Sequence, residues 1–309
     1  PELRFLRRYK YLFLTGGLLL TGLTLLFGTN PLGAGPRLWL GCCGIYLQPS
    51  EPLKLLLLVY LAAYLADRLP LGTRLLPLLA PTAAVTGLAL LLLVFQRDLG
   101  TASIFFFLYA IVLFVACGRK RVLWISLVGL AATGLAGYFL FDVVRLRVEA
   151  WLNPWLDPAG RSYQIVQSLL SVANGGIGGR GPGLGSPGLV PVAHSDFIFA
   201  AIAEEGGLLG ALGLLTVLGF LVARGVRVAL RAPDQFRRLL AAGLTAYLGA
   251  QAILIVGGTL RLLPLTGVTL PFVSYGGSSL VTSFLALLLL LLVSSQPEDE
   301  PAPLPNPQS

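Results

Sequence analysis

Leucine-rich apolar runs recur along this chain, each near the length at which a helix crosses hydrocarbon, and segments rich in glycine, proline or charge divide them. Eight runs are predicted as membrane-spanning helices, at residues 11–27, 53–66, 75–95, 101–117, 122–141, 197–223, 239–258 and 280–293. The second follows a Pro-Ser-Glu-Pro corner where Ser50 or Glu51 is placed to cap it. Residues 145–195 break the pattern. They are rich in Gly, Pro, Asn, Trp and Ser, and the segment is far longer than an ordinary connection. Within it, SYQIVQSLLSVA predicts a short helix lying on the bilayer. A second Gly/Pro-rich stretch, LRLLPLTGVTLPFVSYGGSS, precedes the last run, and an acidic, proline-rich tail at 295–309 is expected to be disordered. The predicted fold class is an all-α polytopic membrane protein, with a single transmembrane domain over 1–294 and a large extracytoplasmic loop at about 145–195.

Composition agrees with the pattern. Of 309 residues, 56% are hydrophobic and 12% charged, and the mean hydropathy is +0.82. A soluble domain of this length has no interior large enough to hide that much apolar surface. No soluble-looking block lies between the runs, so one bundle is expected rather than two domains. The net charge of +8 is mostly arginine, and it reads as topology, not as nucleic-acid binding. With a cytoplasmic N-terminus, fourteen of the 22 lysines and arginines fall on inner segments and eight on the longer outer ones. The large loop then faces outward and the tail is cytoplasmic. Cys42 and Cys43 are adjacent, Cys117 is distant, and His194 is the sole histidine. That set fits neither a zinc spacing nor a disulfide framework, and it argues against haem. The sequence begins at Pro1 and holds no methionine, so a processed or trimmed chain is expected, with no cleavable signal peptide visible.

Polar residues beside and inside the runs are the candidates for chemistry. In PVAHSDFIFAAIAEEG, at 191–206, His194 precedes Ser195 and Asp196, and Glu204 and Glu205 follow where hydrocarbon is expected. Ionisable groups in a spanning helix are costly and mark function by default. Ser195 or Asp196 alone suits a cap for the sixth run. A cap explains neither His194 nor the glutamates, roughly 12 Å further along a helix. Those must pair, stay protonated or line a wet cavity. Glu51 and Lys54, three apart at the start of the second run, share a helix face. They are either an interfacial ion pair or, with Asp98, the lining of a polar cavity. Asp98 is equally suited to cap the fourth run. Arg145, Arg147, Arg161 and Arg180 on the outer loop are forked donors suited to phosphate or to anionic lipid headgroups. GGIGGRG holds a formal G-x-x-G-x-G pattern, but no strand precedes it, and a dinucleotide fold is rejected.

Six segments together resemble one family, in its own order and over nearly the whole chain. They are RLWLG at 37–41, QPSEPLKL at 48–55, QRDLGTA at 96–102, DPAGRSYQIVQSLLSVANGGIGGRG at 157–181, HSDFIFAAIAEEGG at 194–207 and LPLTGVTLPFVSYGGSS at 263–279. The family is SEDS (shape, elongation, division and sporulation), the RodA/FtsW/SpoVE group. The resemblance implies a bundle of about 8–10 transmembrane helices. The family usually has ten, so the missing helices are expected ahead of residue 11, or one of them within the runs counted here as single. Ser195 stands where the family tends to have threonine, and Ile255 where it tends to have asparagine. The resemblance also implies a peptidoglycan glycosyltransferase that polymerises lipid II at the outer face of the bacterial inner (cytoplasmic) membrane, with a role in cell shape and elongation. A class B penicillin-binding protein (a transpeptidase) and membrane lipids are the implied partners. Asp196 matches the essential aspartate of the family's His-Thr/Ser-Asp motif. Glu51, Lys54, Asp98, Arg37, His194, Ser195, Glu204, Glu205, Arg180, Ser274 and Ser278 are expected to line the substrate cavity.

In such a reaction a sugar hydroxyl attacks the anomeric carbon of a chain carried on a lipid pyrophosphate. Asp196 is the expected general base. Lys54 with Arg37 or Arg180, or a divalent cation (Mg or Mn), is expected to supply positive charge to the pyrophosphate. One alternative is a lipid II flippase, which broken helices and buried acids also suit. Another is a non-catalytic scaffold for the transpeptidase. Asp196, Asp98 and Glu51 all map to the outer side, which favours the enzyme over a pump.

Overall fold

The computed structural model of this chain describes residues 2–30, 36–42, 44–69 and 75–295. The predicted tail, apart from Ser295, lies outside the described residues, as does Cys43. The elements in order are α1 (Glu2–Arg8), α2 (Lys10–Phe27), β1 (Leu40–Cys42), β2 (Ile45–Leu47), α3 (Ser50–Arg68), α4 (Leu75–Phe95), α5 (Leu99–Cys117), α6 (Lys120–Leu140), α7 (Asp142–Leu152), α8 (Tyr163–Gly175), α9 (Ile198–Arg231), α10 (Gln235–Thr259) and α11 (Gly277–Ser294). All eight predicted runs are helices, with ends displaced by a few residues. Among the described residues, six helices are long and apolar enough to cross a membrane by length and composition. Those six leave out α3, which carries Glu51, Lys54, Asp67 and Arg68, and α4.

The bundle is built around α3 and α10. Nearly every residue of α3 from Ser50 to Ala66 is buried, and α10 is buried along most of its length. At the other extreme, α6 has no buried residue and presents Trp124, Ile125 and Phe139 outward, as a lipid-facing helix does. The two ends of α3 mark the two ends of the molecule, about 28 Å apart for a helix of its length. At its C-terminal end, Asp67 pairs with Arg7 and Lys10. At its N-terminal end, the Gln48 N–H donates to Ser278 Oγ at 2.9 Å and its amide to Asp98 Oδ2 at 3.5 Å.

Several expectations need correction. No strand is predicted in the chain, yet the segment between α2 and α3 contains the antiparallel β1–β2 hairpin, turned at Gly44 (φ 83) and prolonged by a bridge between Thr29 and Trp39. Most of α7 lies in the large loop, where only the later SYQIVQSLLSVA segment is predicted as a helix. The helix expected on the bilayer forms as α8, but its buried face packs on protein: Ser168 Oγ donates to the Thr259 carbonyl of α10 at 3.2 Å. Ser50 and Glu51 lie inside the first turn of α3 and make no cap bond. Nor do Ser195 or Asp196 cap α9, which starts after Phe197 without a side-chain cap. Asp98 does cap α5, accepting from the Thr101 N–H at 3.1 Å.

The backbone of α9 is broken at Gly207 (φ 63, ψ −164), a conformation open essentially to glycine alone. The GGIGGRG run explains the break. In an unbroken helix the Leu208 and Leu209 N–H groups would bond to the Glu204 and Glu205 carbonyls. Here the loop after α8 takes both places. Arg180 N–H donates to Glu204 O and Gly181 N–H to Glu205 O, each at 3.0 Å, while Leu208 and Leu209 donate to Gly176 O (2.9 Å) and Ile177 O (3.3 Å). Every displaced backbone group finds a partner, as hydrocarbon surroundings require. The approach is so close that a side-chain carbon on Gly175, Gly179 or Gly207 would collide with the opposing backbone.

Gly207→Ala is therefore expected to cost about 2 kcal/mol or more from backbone strain alone, read as a lower midpoint of thermal unfolding in detergent. Gly206→Ala, whose added carbon meets nothing within 4 Å, is the control and is expected to be neutral or stabilising by up to about 1 kcal/mol.

Candidate functional site

Asp196 lies just ahead of α9, at the end of the bundle where α3 begins. Its Oδ1 accepts from the Ser195 hydroxyl at 3.1 Å. The segment after α10 folds back to hold this stretch. Ser274 Oγ donates to the Ser195 carbonyl at 2.7 Å and accepts from the Leu270 N–H at 2.8 Å. Tyr275 N–H donates to the His194 carbonyl at 2.9 Å, and the Tyr275 ring meets the exposed His194 ring edge-on at 5.6 Å. Desolvation raises the Asp196 carboxyl above the ordinary carboxylate range, while the Ser195 hydroxyl, Arg147 and His194 pull it back down.

Thr266 and Gly267, in the same fold-back, connect Asp196 to α5 and α7. The Thr266 carbonyl accepts from Arg147 Nη1 at 3.2 Å. It also lies against Gly100, where a side-chain carbon would strike it. Two residues before Gly100, Asp98 holds the start of α5. Desolvation raises its carboxyl as well, against the Thr101 bonds and the positive charge of Lys54. Lys54 Nζ donates to Glu51 Oε1 at 2.7 Å, with the lysine fully buried, and stands 5.3 Å from the Tyr247 ring centre. Among the described residues Glu51 Oε2 and both amide atoms of buried Gln251 have no hydrogen-bond partner.

The predicted residues therefore fall into separate groups. Asp196, Ser195, His194 and Ser274 form one cluster; Glu51 and Lys54 form a buried ion pair near Asp98; Ser278 holds the Gln48 backbone. Glu204 is 1% exposed and paired at 3.8 Å with Arg180, in the break of α9 and not beside Asp196, with half-buried Glu205 next to it. Lys54 was expected to meet a pyrophosphate, but here it is sealed against Glu51 and Tyr247. Arg37 is exposed on the segment before β1. Sequence reasoning gave Arg147 no more weight than its neighbours and missed Thr266, Gly267, Tyr247 and Gln251. Tyr247 and Gln251 carried a signal, two polar side chains one turn apart in an apolar helix. Among the described residues no three His, Cys, Asp or Glu side chains gather into a cluster that could hold a metal ion.

The comparisons with known proteins agree with one another. The family model described as cell cycle protein, FtsW/RodA/SpoVE, matches residues 2–299. Peptidoglycan glycosyltransferase RodA of Mycobacterium tuberculosis is 40% identical over 303 residues, covering 94% of this chain and 65% of the relative. The chain thus spans a little under two thirds of that protein's length. The crystal structure of the Thermus thermophilus rod shape determining protein RodA superposes with a TM-score of 0.68 at 31% identity, covering 95% of this chain and 81% of the other. A chain from a peptidoglycan synthase complex that coordinates polymerization and crosslinking gives a TM-score of 0.77 at 34% identity, covering 94% and 82%.

Removing one member of a buried ion pair strands the other, at about 3 kcal/mol or more. Lys54→Met is expected to lower the unfolding midpoint in detergent more than the double variant Glu51→Gln/Lys54→Met. Equal losses would assign the pair no structural role.

Proposed function

The chain belongs to the FtsW/RodA/SpoVE family of cell cycle proteins, and on that premise we propose that it is a peptidoglycan glycosyltransferase. It polymerises lipid II at the outer face of the bacterial inner membrane, with residues 1–294 as one transmembrane unit. The peptidoglycan glycosyltransferase RodA to which it is similar supports the activity. The observation that carries the reading is the placement of Asp196. It is a desolvated carboxyl, steadied by Ser195, at the end of the bundle opposite the basic cluster of Arg7 and Lys10. The positive-inside bias makes that basic end cytoplasmic, so Asp196 opens to the side where glycan strands are made. The neighbour from a peptidoglycan synthase complex supports a crosslinking partner, a class B penicillin-binding protein.

Asp196 acts as general base. Its carboxylate takes the proton of an acceptor hydroxyl as that oxygen attacks the anomeric carbon of the lipid-linked chain. Its raised proton affinity makes it a stronger base than an exposed aspartate, at the cost of being silenced sooner on acidification. The Ser195 hydroxyl and the fold-back through Ser274 fix its direction. A single displacement inverts the anomeric carbon and needs no second carboxylate.

Asp196→Asn is expected to abolish polymer formation from purified lipid II while the unfolding midpoint stays near that of the parent. Substantial polymer would remove Asp196 from the chemistry. Because activity needs the ionised carboxylate and desolvation raises its pKa, the rate falls with decreasing pH through a limb above the ordinary aspartate range. Ser195→Ala deletes a bond that favours ionisation, so the acid limb moves to higher pH; an unmoved or lowered limb would contradict the assignment.

A further inference from the structure

A base at Asp196 accounts for the attacking hydroxyl and leaves the departing pyrophosphate without a partner. Three arginines of the outer face are committed elsewhere. Arg145 pairs with Glu149 at 2.8 Å, Arg180 with Glu204, and Arg261 donates to the Trp151 and Leu152 carbonyls at 2.8 and 2.7 Å. Arg147 differs. Its Nη1 is held by the Thr266 carbonyl, and among the described residues no carboxylate forms an ion pair with it. Its Nη2 lies 3.7 Å from the point a side-chain carbon on Gly267 would occupy, and Asp196 Oδ2 lies 3.7 Å from the same point. Gly267 has φ 72 and leaves that space open. A guanidinium and a carboxylate thus flank one small gap without closing on each other.

The guanidinium is also held firmly. Arg261 clamps the last turn of α7, one turn beyond Arg147, by taking two of its terminal carbonyls, and the Trp151 indole N–H donates back to the Arg261 carbonyl at 3.1 Å. Thr266 fixes the other side. A donor pre-positioned in this way loses little order on meeting an anion, and a planar fork matches phosphate oxygens.

We propose that Arg147 binds the pyrophosphate of the lipid-linked donor across the gap above Gly267, opposite Asp196. This rests on the glycosyltransferase reading. The acceptor hydroxyl gives its proton to Asp196 as its oxygen bonds to the anomeric carbon. The bond from that carbon to the pyrophosphate oxygen breaks, and its electron pair leaves with the pyrophosphate. Arg147 meets the charge that accumulates there.

The test uses the full chain in detergent, with its transpeptidase partner present, and variants Arg147→Gln and Arg147→Lys checked for parental unfolding midpoints. Polymerisation of lipid II is measured across pH, and binding of farnesyl pyrophosphate is compared with farnesol. Arg147→Gln is expected to lower kcat/KM about 100-fold, with the loss persisting on the alkaline plateau, and Arg147→Lys to recover part of it. Farnesyl pyrophosphate binding is expected to weaken in both variants, with farnesol unchanged. Arg147 and His194 are the charged or titratable groups that favour ionisation of Asp196, so a residue that only tuned Asp196 would regain the parental rate at high pH. That recovery would overturn the proposal, as would farnesyl pyrophosphate binding that is undetectable in the parent or equal in parent and variants. Asp196→Asn is expected to retain farnesyl pyrophosphate binding. Polymer from Asp196→Asn would remove the base role yet leave the pyrophosphate measurement on Arg147 decisive.

Discussion

No water reaches a backbone amide in hydrocarbon, so a spanning helix can break only where other backbone replaces what it lost. The junction at Gly207 meets that constraint with two donors and two acceptors from the glycine-rich loop. Much else follows from it. The loop enters that close only because its glycines carry no side chain. Its docking fixes where the chain re-emerges after α8, and so where residues 190–196 arrive ahead of α9. The buried Glu204 belongs to this junction, with Arg180 pairing it from the loop side. One acid that the sequence suggests for chemistry is thereby engaged in the junction.

The end of the bundle that holds Asp196 has a different logic. Asp196 is reached from four directions: its own segment, the fold-back after α10, the start of α5 through Thr266 and Gly100, and α7 through Arg147. None of these groups is adjacent in sequence to more than one other. The Glu51–Lys54 pair sits deeper, in the most buried helix of the bundle, and holds a full charge of each sign where neither could stand alone.

The spans were legible because leucine runs of the right length leave few readings, and the cap at Asp98 because it needs only a short polar residue before a helix. Asp196 stood out as a carboxylate beside the single histidine. What stayed hidden depends on pairing across distance. The α9 break is invisible because residues 198–223 read as a continuous apolar helix, and the carbonyls that would close it are taken by a loop some twenty-five residues upstream. Arg147 could not be told from Arg145, two residues away, because the difference lies in what each meets: Glu149 for one, Thr266 and the gap at Gly267 for the other. Nor does sequence say that Lys54 is already paired, since it gives a charge and not what the charge meets.

The bare helix α6 has one more implication. It packs against α5 and passes directly into α7, and no residue along it is buried. A helix gripped along a single flank tilts to match the thickness of its bilayer. The arm that follows it carries Arg147, so a change of bilayer thickness that tilted α6 would displace that guanidinium relative to Gly267 and Asp196.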